Sequence, residues 1–341
     1  MPMWQKDSIG GIGEVRSETL PLMLTLILAL AIFSNDAYAL DKEYPIVTSI
    51  NIWSDIINML TFPHEIARPL LTGMETPHTF SLKPEHIQAV KHASMIIYTS
   101  DRIEPFMKEI LSSVSLENKT VVKVVDLPNI TVVNDNPHIW MNPRNVKIFI
   151  EYVSEFISER FPHLSETIAK NCITLLEQID DLISYINSVS QDLENIPVIV
   201  SIPCVEPLVL QLKLRIVKIV IEDPERSPSL KEILEINELI KEYNVTLIID
   251  VIQLNSPVIE KIVSMNNLKR AYTSPLLISS KGLDNYFKLM RYNVAAIYYA
   301  IFSPMENASE IECGYSLALI FSILAIAMIS FLMIVLYWRS R

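Results

Sequence analysis

Glycine is scarce. The chain holds six in 341 residues, and only Gly73 and Gly282 fall between its two long apolar runs. Loops that cradle phosphate need glycine where the backbone approaches the ligand, so a P-loop or a dinucleotide fingerprint is excluded from the folded part. Gly10-Gly11-Ile12-Gly13 leads into an apolar segment and not into a strand-to-helix turn. Cysteine is scarcer: Cys172, Cys204 and Cys313 form no CxxC pair. An odd, scattered set excludes a disulfide framework and a zinc ribbon. Basic stripes are missing as well, and the net charge is -11, which argues against nucleic acid as a partner. No GxSxG, HExxH or paired catalytic carboxylates occur, so the chain reads as a binder and not an enzyme.

Apolar residues are plentiful, at 50%. Leu20 to Ala39 forms a short apolar run ending in Ala37-Tyr38-Ala39, a small-x-small cleavage pattern. Residues 1–39 are therefore expected to be a signal peptide or an N-terminal hydrophobic segment. Tyr315 to Trp338 is uncharged, long enough to span a bilayer, and followed by Arg339-Ser340-Arg341. It predicts a single transmembrane helix over 315–338, reached by a juxtamembrane linker over 304–314. The bulk of the chain is then extracytoplasmic, anchored in the cell membrane. The sequons at Asn118, Asn129, Asn244 and Asn307 suit a glycoprotein in that location.

Between the two runs, short β-branched strands alternate with amphipathic helices. "PIVTSI" precedes "WSDIINML", "SMIIYTS" precedes "EPFMKEILSSV", and "VTLIIDV" precedes "SPVIEKIVSM". Consecutive apolar positions suit parallel strands buried on both faces, so the fold class is α/β. From Leu164 to Leu193 the pattern changes. Ile168, Cys172, Leu175, Ile179, Ile183, Ile186 and Leu193 fall on one helical stripe with no proline or glycine. This predicts one helix of roughly 45 Å at about 1.5 Å per residue. The organisation is an N-terminal α/β lobe over 40–163, a rigid linking helix over 164–194 and a C-terminal α/β lobe over 195–303. Ligands in open α/β sheets bind beyond the carboxyl ends of the strands, which puts the expected site between the lobes.

Of the four histidines that directly follow a proline, two are also followed by an aromatic residue and a helix-opening proline: "METPHTFSLKPEHI" carries His78 and "NDNPHIWMNPRNV" carries His138. Imidazole suits zinc, manganese or iron, and a preceding proline restricts the loop that presents it. Asn134, Asp135 and Asn142 are candidates to hold the other ring nitrogen of His138. His64, His86, His92 and His163 read as surface or helix-face residues.

With these motifs the chain resembles the solute-binding proteins of ATP-driven zinc and manganese importers, over roughly Tyr44 to Phe302. The Pro-His-x-aromatic run, the Glu104 that opens the following helix, and "NPHIWMNP", close to Asp-Pro-His-x-Trp-x-Asp-Pro, carry the likeness. The resemblance implies a divalent metal, zinc or manganese, bound by His78 and His138 from the N-lobe. It also implies delivery to a membrane permease driven by an ATPase. In the C-lobe the sequence departs from the family. "VSIPCVEPL" has neither His nor Glu at the expected place, leaving Cys204 and Glu206 as substitutes. The family's Asp-Pro-Leu reads Ser274-Pro275-Leu276, and Asp250 matches an acidic position. The rival expectation is a surface adhesion or structural protein of the same fold that has lost its metal.

Overall fold

The computed structural model describes residues 44–73, 80–223 and 226–304, and all but Tyr44 belong to one compact unit. The chain order begins β1 (Ile46–Ile50), α1 (Asn51–Thr61), β2 (Ala67–Leu71), α2 (Pro84–His92), β3 (Met95–Tyr98), α3 (Phe106–Ser113) and β4 (Thr120–Lys123). Next come α4 (Pro143–Arg160) and α5 (Ser165–Leu193). The second half runs β5 (Pro197–Val200), α6 (Glu206–Gln211), β6 (Arg215–Ile219), α7 (Leu230–Glu242), β7 (Leu247–Val251), α8 (Pro257–Asn266), β8 (Lys269–Thr273) and α9 (Tyr286–Phe302).

The strands form two sheets, ordered β2-β1-β3-β4 and β6-β5-β7-β8, with every pairing parallel. The α/β expectation of two parallel-sheet lobes therefore holds. Strands β1, β3 and β7 are buried at every position, as their unbroken apolar runs require.

Helix α5 has 29 residues, about 43 Å at 1.5 Å per residue, and packs on α1 and α4 of the first lobe and on α9 of the second. Ile168, Leu175, Ile179, Leu182, Ile186 and Leu193 form its buried stripe, while Cys172 and Ile183 are half-buried. The apolar core is continuous along this helix, from Trp53 and Phe149 in the first lobe to Tyr286 and Leu289 in the second.

Asn118, Asn129 and Asn244 are exposed and adopt left-handed backbone (φ 60°, 68° and 52°), which asparagine tolerates better than most residues. Turn geometry thus accounts for asparagine at these three sequons without a glycan; Asn307 lies outside the described residues. No helix among the described residues is long and apolar enough to cross a membrane. The segments 1–39 and 315–338 lie outside them.

The lobes meet through polar contacts at the carboxyl ends of their strands. Asn51 donates from Nδ2 to Thr72 O and Leu277 O, and its Oδ1 accepts from Leu277 N. Trp140 Nε1 donates to Pro275 O at 2.6 Å, and Tyr286 OH donates to Trp140 O. Gly73 makes this approach possible. Its φ is +113°, and a Cβ there would lie 1.9 Å from Leu277 O. Gly73→Ala is therefore expected to destabilise the fold by about 3 kcal/mol or more, because a backbone carbonyl cannot swing aside as a side chain can. Denaturant unfolding would measure it, and a change below about 1 kcal/mol would show that the lobes tolerate separation there.

Candidate functional site

The loop after β4 carries His138. Asn134 and Asp135 both adopt left-handed backbone (φ 52° and 56°), so the chain reverses sharply before Pro137. Asn136 then decides the chemistry of the imidazole. Its Oδ1 accepts from His138 N at 3.0 Å and lies 2.8 Å from His138 Nδ1. Its Nδ2 donates to Pro203 O at 2.8 Å and to Glu206 Oε2 at 2.7 Å. A carbonyl and a carboxylate on one side, and a backbone N–H on the other, leave a single orientation for this amide. His138 Nδ1 must therefore carry the proton, which places the lone pair on Nε2, the form a metal requires. Asn136, His138 and Glu206 are all buried.

None of the three neighbours considered from sequence holds the ring. Asn134 donates instead to Glu206 Oε1 at 2.8 Å, Asp135 pairs with Arg102 at 2.6 Å, and Asn142 caps α4 by accepting from Arg144 N. Asn136 sits two residues before the histidine, a spacing that a tight reversal makes possible. The missed signal was the Asn-Asp pair that produces the reversal. Trp140 is buried, with its ring centre 5.2 Å from that of His138.

Glu206 opens α6, and its carboxylate is gripped from the other lobe by Asn134 and Asn136. The structure thus joins His138 and Glu206 through one amide. The remaining candidates are engaged with other partners. Cys204 is buried, and burial together with the nearby Asp250 carboxylate pushes its thiol well above the usual range. It stands as a neutral thiol. Asp250 shares its face of β7 with Ile248, which packs under α7 and α8. Burial raises its pKa, while Val251 N and the Arg270 guanidinium, 3.5 Å away, oppose the shift.

Ser274 is fully buried, and its hydroxyl is committed. Oγ donates to Leu276 O at 2.6 Å and accepts from Gln253 Nε2 at 2.8 Å and from Leu276 N at 3.3 Å. His78 lies outside the described residues. Among the described residues, no group of three or more His, Cys, Asp and Glu could hold a metal ion together.

Three further side chains were not singled out as site residues from sequence. Glu104 is wholly buried and accepts from Ser49 Oγ, Thr99 Oγ1, Thr99 N and Ser100 N. Burial pushes its pKa up to about 7 against those four donors. Gln253, just past the end of β7, spans the lobes: Nε2 donates to Ser274 Oγ and to Gly73 O at 3.3 Å. His86 is a correction to the surface reading. It is buried against Phe80, and its Nδ1 accepts from Lys83 N at the start of α2.

Residues 46–300 match the family described as zinc-uptake complex component A, periplasmic (ZnuA). The chain belongs to the ZnuA family. Among individual relatives, it is 30% identical to the uncharacterized protein RP014 of Rickettsia prowazekii (strain Madrid E) over 159 residues, 47% of this chain and 51% of that protein. It is 20% identical to the zinc-binding protein AdcA of Streptococcus pyogenes serotype M18 over 263 residues, 68% of this chain and 51% of AdcA. The chain spans about half the length of these curated relatives.

Its fold is also that of the Mn-bound periplasmic metal binding protein from Candidatus Liberibacter asiaticus, with TM-score 0.66 and 16% identity, covering 75% of this chain and 99% of that one. A ZnuA crystal structure gives TM-score 0.65 at 20% identity, covering 75% and 98%. Asn136 is an amide in contact with a carboxylate. An aspartate there would set one carboxylate against that of Glu206, whereas the amide donates to it.

Proposed function

We propose that this ZnuA-family chain captures a divalent transition metal, zinc or manganese, outside the cytoplasm and hands it to the permease and ATPase of an importer. It acts as a receptor and not as an enzyme. The observation that carries this reading is the amide of Asn136, which fixes the His138 proton on Nδ1 and so gives Nε2 the form that a metal requires. His78 is the second imidazole of the same site. Glu206 accepts from Asn134 and Asn136 of the other lobe, and through Asn136 it is linked to the imidazole. Neither Cys204, Asp250 nor Ser274 is a strong ligand in this reading, for the thiol is neutral, the carboxylate is paired and the hydroxyl is saturated. The apolar run from Tyr315 to Trp338 serves as a membrane tether.

The AdcA relative is named as zinc-binding, and the Liberibacter neighbour is named as Mn-bound. Both metals therefore belong in the test. Thermal unfolding of the metal-stripped full-length chain should shift upward with added zinc or manganese, by about 2.7 kcal/mol at a hundred times the dissociation constant. The saturated Ser274 favours a second reading, a surface adhesion protein of the same fold without metal. A flat response to both metals would overturn the first reading and favour the second, a surface adhesion or structural protein.

A further inference from the structure

We infer that Gln253, in place of Ser274, supplies the C-lobe oxygen of the cation site; this deepens the metal-receptor reading and rests on it. Ser274 is a candidate ligand from sequence, yet its one proton goes to Leu276 O and its lone pairs receive Gln253 Nε2 and Leu276 N. A hydroxyl so engaged has nothing left for a cation.

The same bonds orient Gln253. Because Ser274 Oγ has already spent its proton, the atom facing it must be a donor, and Gly73 O, the second partner of that atom, also requires a donor. The amide nitrogen is thereby assigned and the amide oxygen is left over. Gln253 Oε1 is buried and accepts no hydrogen bond. A buried acceptor in that condition costs about 1–3 kcal/mol, so the site is built for something that binds oxygen.

Its position fits. Gln253 bridges Ser274 of one lobe and Gly73 of the other, so its amide lies in the junction. The residue after Ser274, Pro275, accepts from Trp140, whose ring lies against that of His138. A neutral amide oxygen is an accepted ligand for hard and borderline divalent cations. Drawing electron density from Oε1 would also strengthen the Nε2 bonds that hold the two lobes together. The cation class is a divalent metal bound by imidazole nitrogen and neutral oxygen, with less ligand charge than an aspartate site provides.

The test uses the full-length chain, stripped of metal and titrated with manganese and with zinc against a chromophoric competitor. Gln253→Leu removes the oxygen and is expected to weaken binding at least tenfold. Gln253→Asn keeps the amide but withdraws its oxygen by one methylene, so it is expected to weaken binding as well. Melting of the metal-free variants checks their folding. If Gln253→Leu does not fold, Gln253→Asn decides, and unchanged binding by that variant overturns the inference. Wild-type affinity retained in a folded Gln253→Leu also overturns it, leaving a packing role for the amide. No binding by the wild-type chain defeats the metal-receptor reading itself, and this inference with it.

Discussion

His138→Ala should erase the thermal shift that metal produces in the wild-type chain. At a hundredfold excess over the dissociation constant the wild-type gain is about 2.7 kcal/mol, which in a folded unit of this size is roughly 5–10 °C. The substitution removes the Nε2 lone pair and the ring that fills the space beside Trp140. Some metal-independent loss of stability is therefore expected as well. Asn136→Leu separates the two effects. It keeps the imidazole but deletes the acceptor at Nδ1, so the proton is no longer fixed, and affinity should fall about 10–100-fold. It also strips both Asn136 bonds from Pro203 and Glu206, so the lobes should part more readily. A full metal-induced shift in His138→Ala would remove the imidazole from the site altogether.

Stability should fall as pH rises from about 5 to 8, opposite to the behaviour of a protein held by paired carboxylates. Glu104 has its pKa raised by burial from 4.5 to about 7. Asp55, on α1, is raised from 3.8 to about 7 by burial and then by the Asp284 charge, against the hydrogen bond it accepts from Tyr286 N at 2.8 Å. Between the unfolded and folded values the native state holds a proton that the unfolded chain has lost. Stability is therefore greatest below that window, declines through it and levels off above about 7. For Glu104 the decline is on the order of 3 kcal/mol. Asp55 adds less than its shift suggests, because it is partly exposed. Glu104→Gln should remove about half of the slope in a series of melts across this range. A melting temperature that climbs between pH 5 and 8 would show both carboxyls ionised in the native state.

The parts of the site that could be read from sequence were those with a local signature. The Pro-His motifs of His78 and His138, the position of candidates beyond strand ends and the Ser274-Pro275-Leu276 triplet are all visible in short stretches. Asn136 was passed over because its partners, Pro203 and Glu206, are about 70 residues away. Gln253 was passed over for a similar reason: its significance comes from Gly73 on the other lobe, 180 residues earlier. Asp250 shows the opposite error. An acid at a strand end looks available, but strand alternation turns it to the α8 side, where Arg270 neutralises it. Cys204 has the residue type of a ligand and the surroundings of a core side chain.

By itself, the sequence determined the α/β class, the two lobes and the long helix between them, because apolar periodicity and the absence of glycine and proline act within a few turns of chain. It also offered His78 and His138 as candidate ligands. Only the tertiary structure decided which groups face one another across the junction: the tautomer of His138, the saturation of Ser274 and the unpaired oxygen of Gln253. Hydrogen bonds between residues far apart in the chain set these, and such bonds depend on positions to within a few tenths of an ångström. That precision belongs to the packed lobes and not to any single stretch of residues.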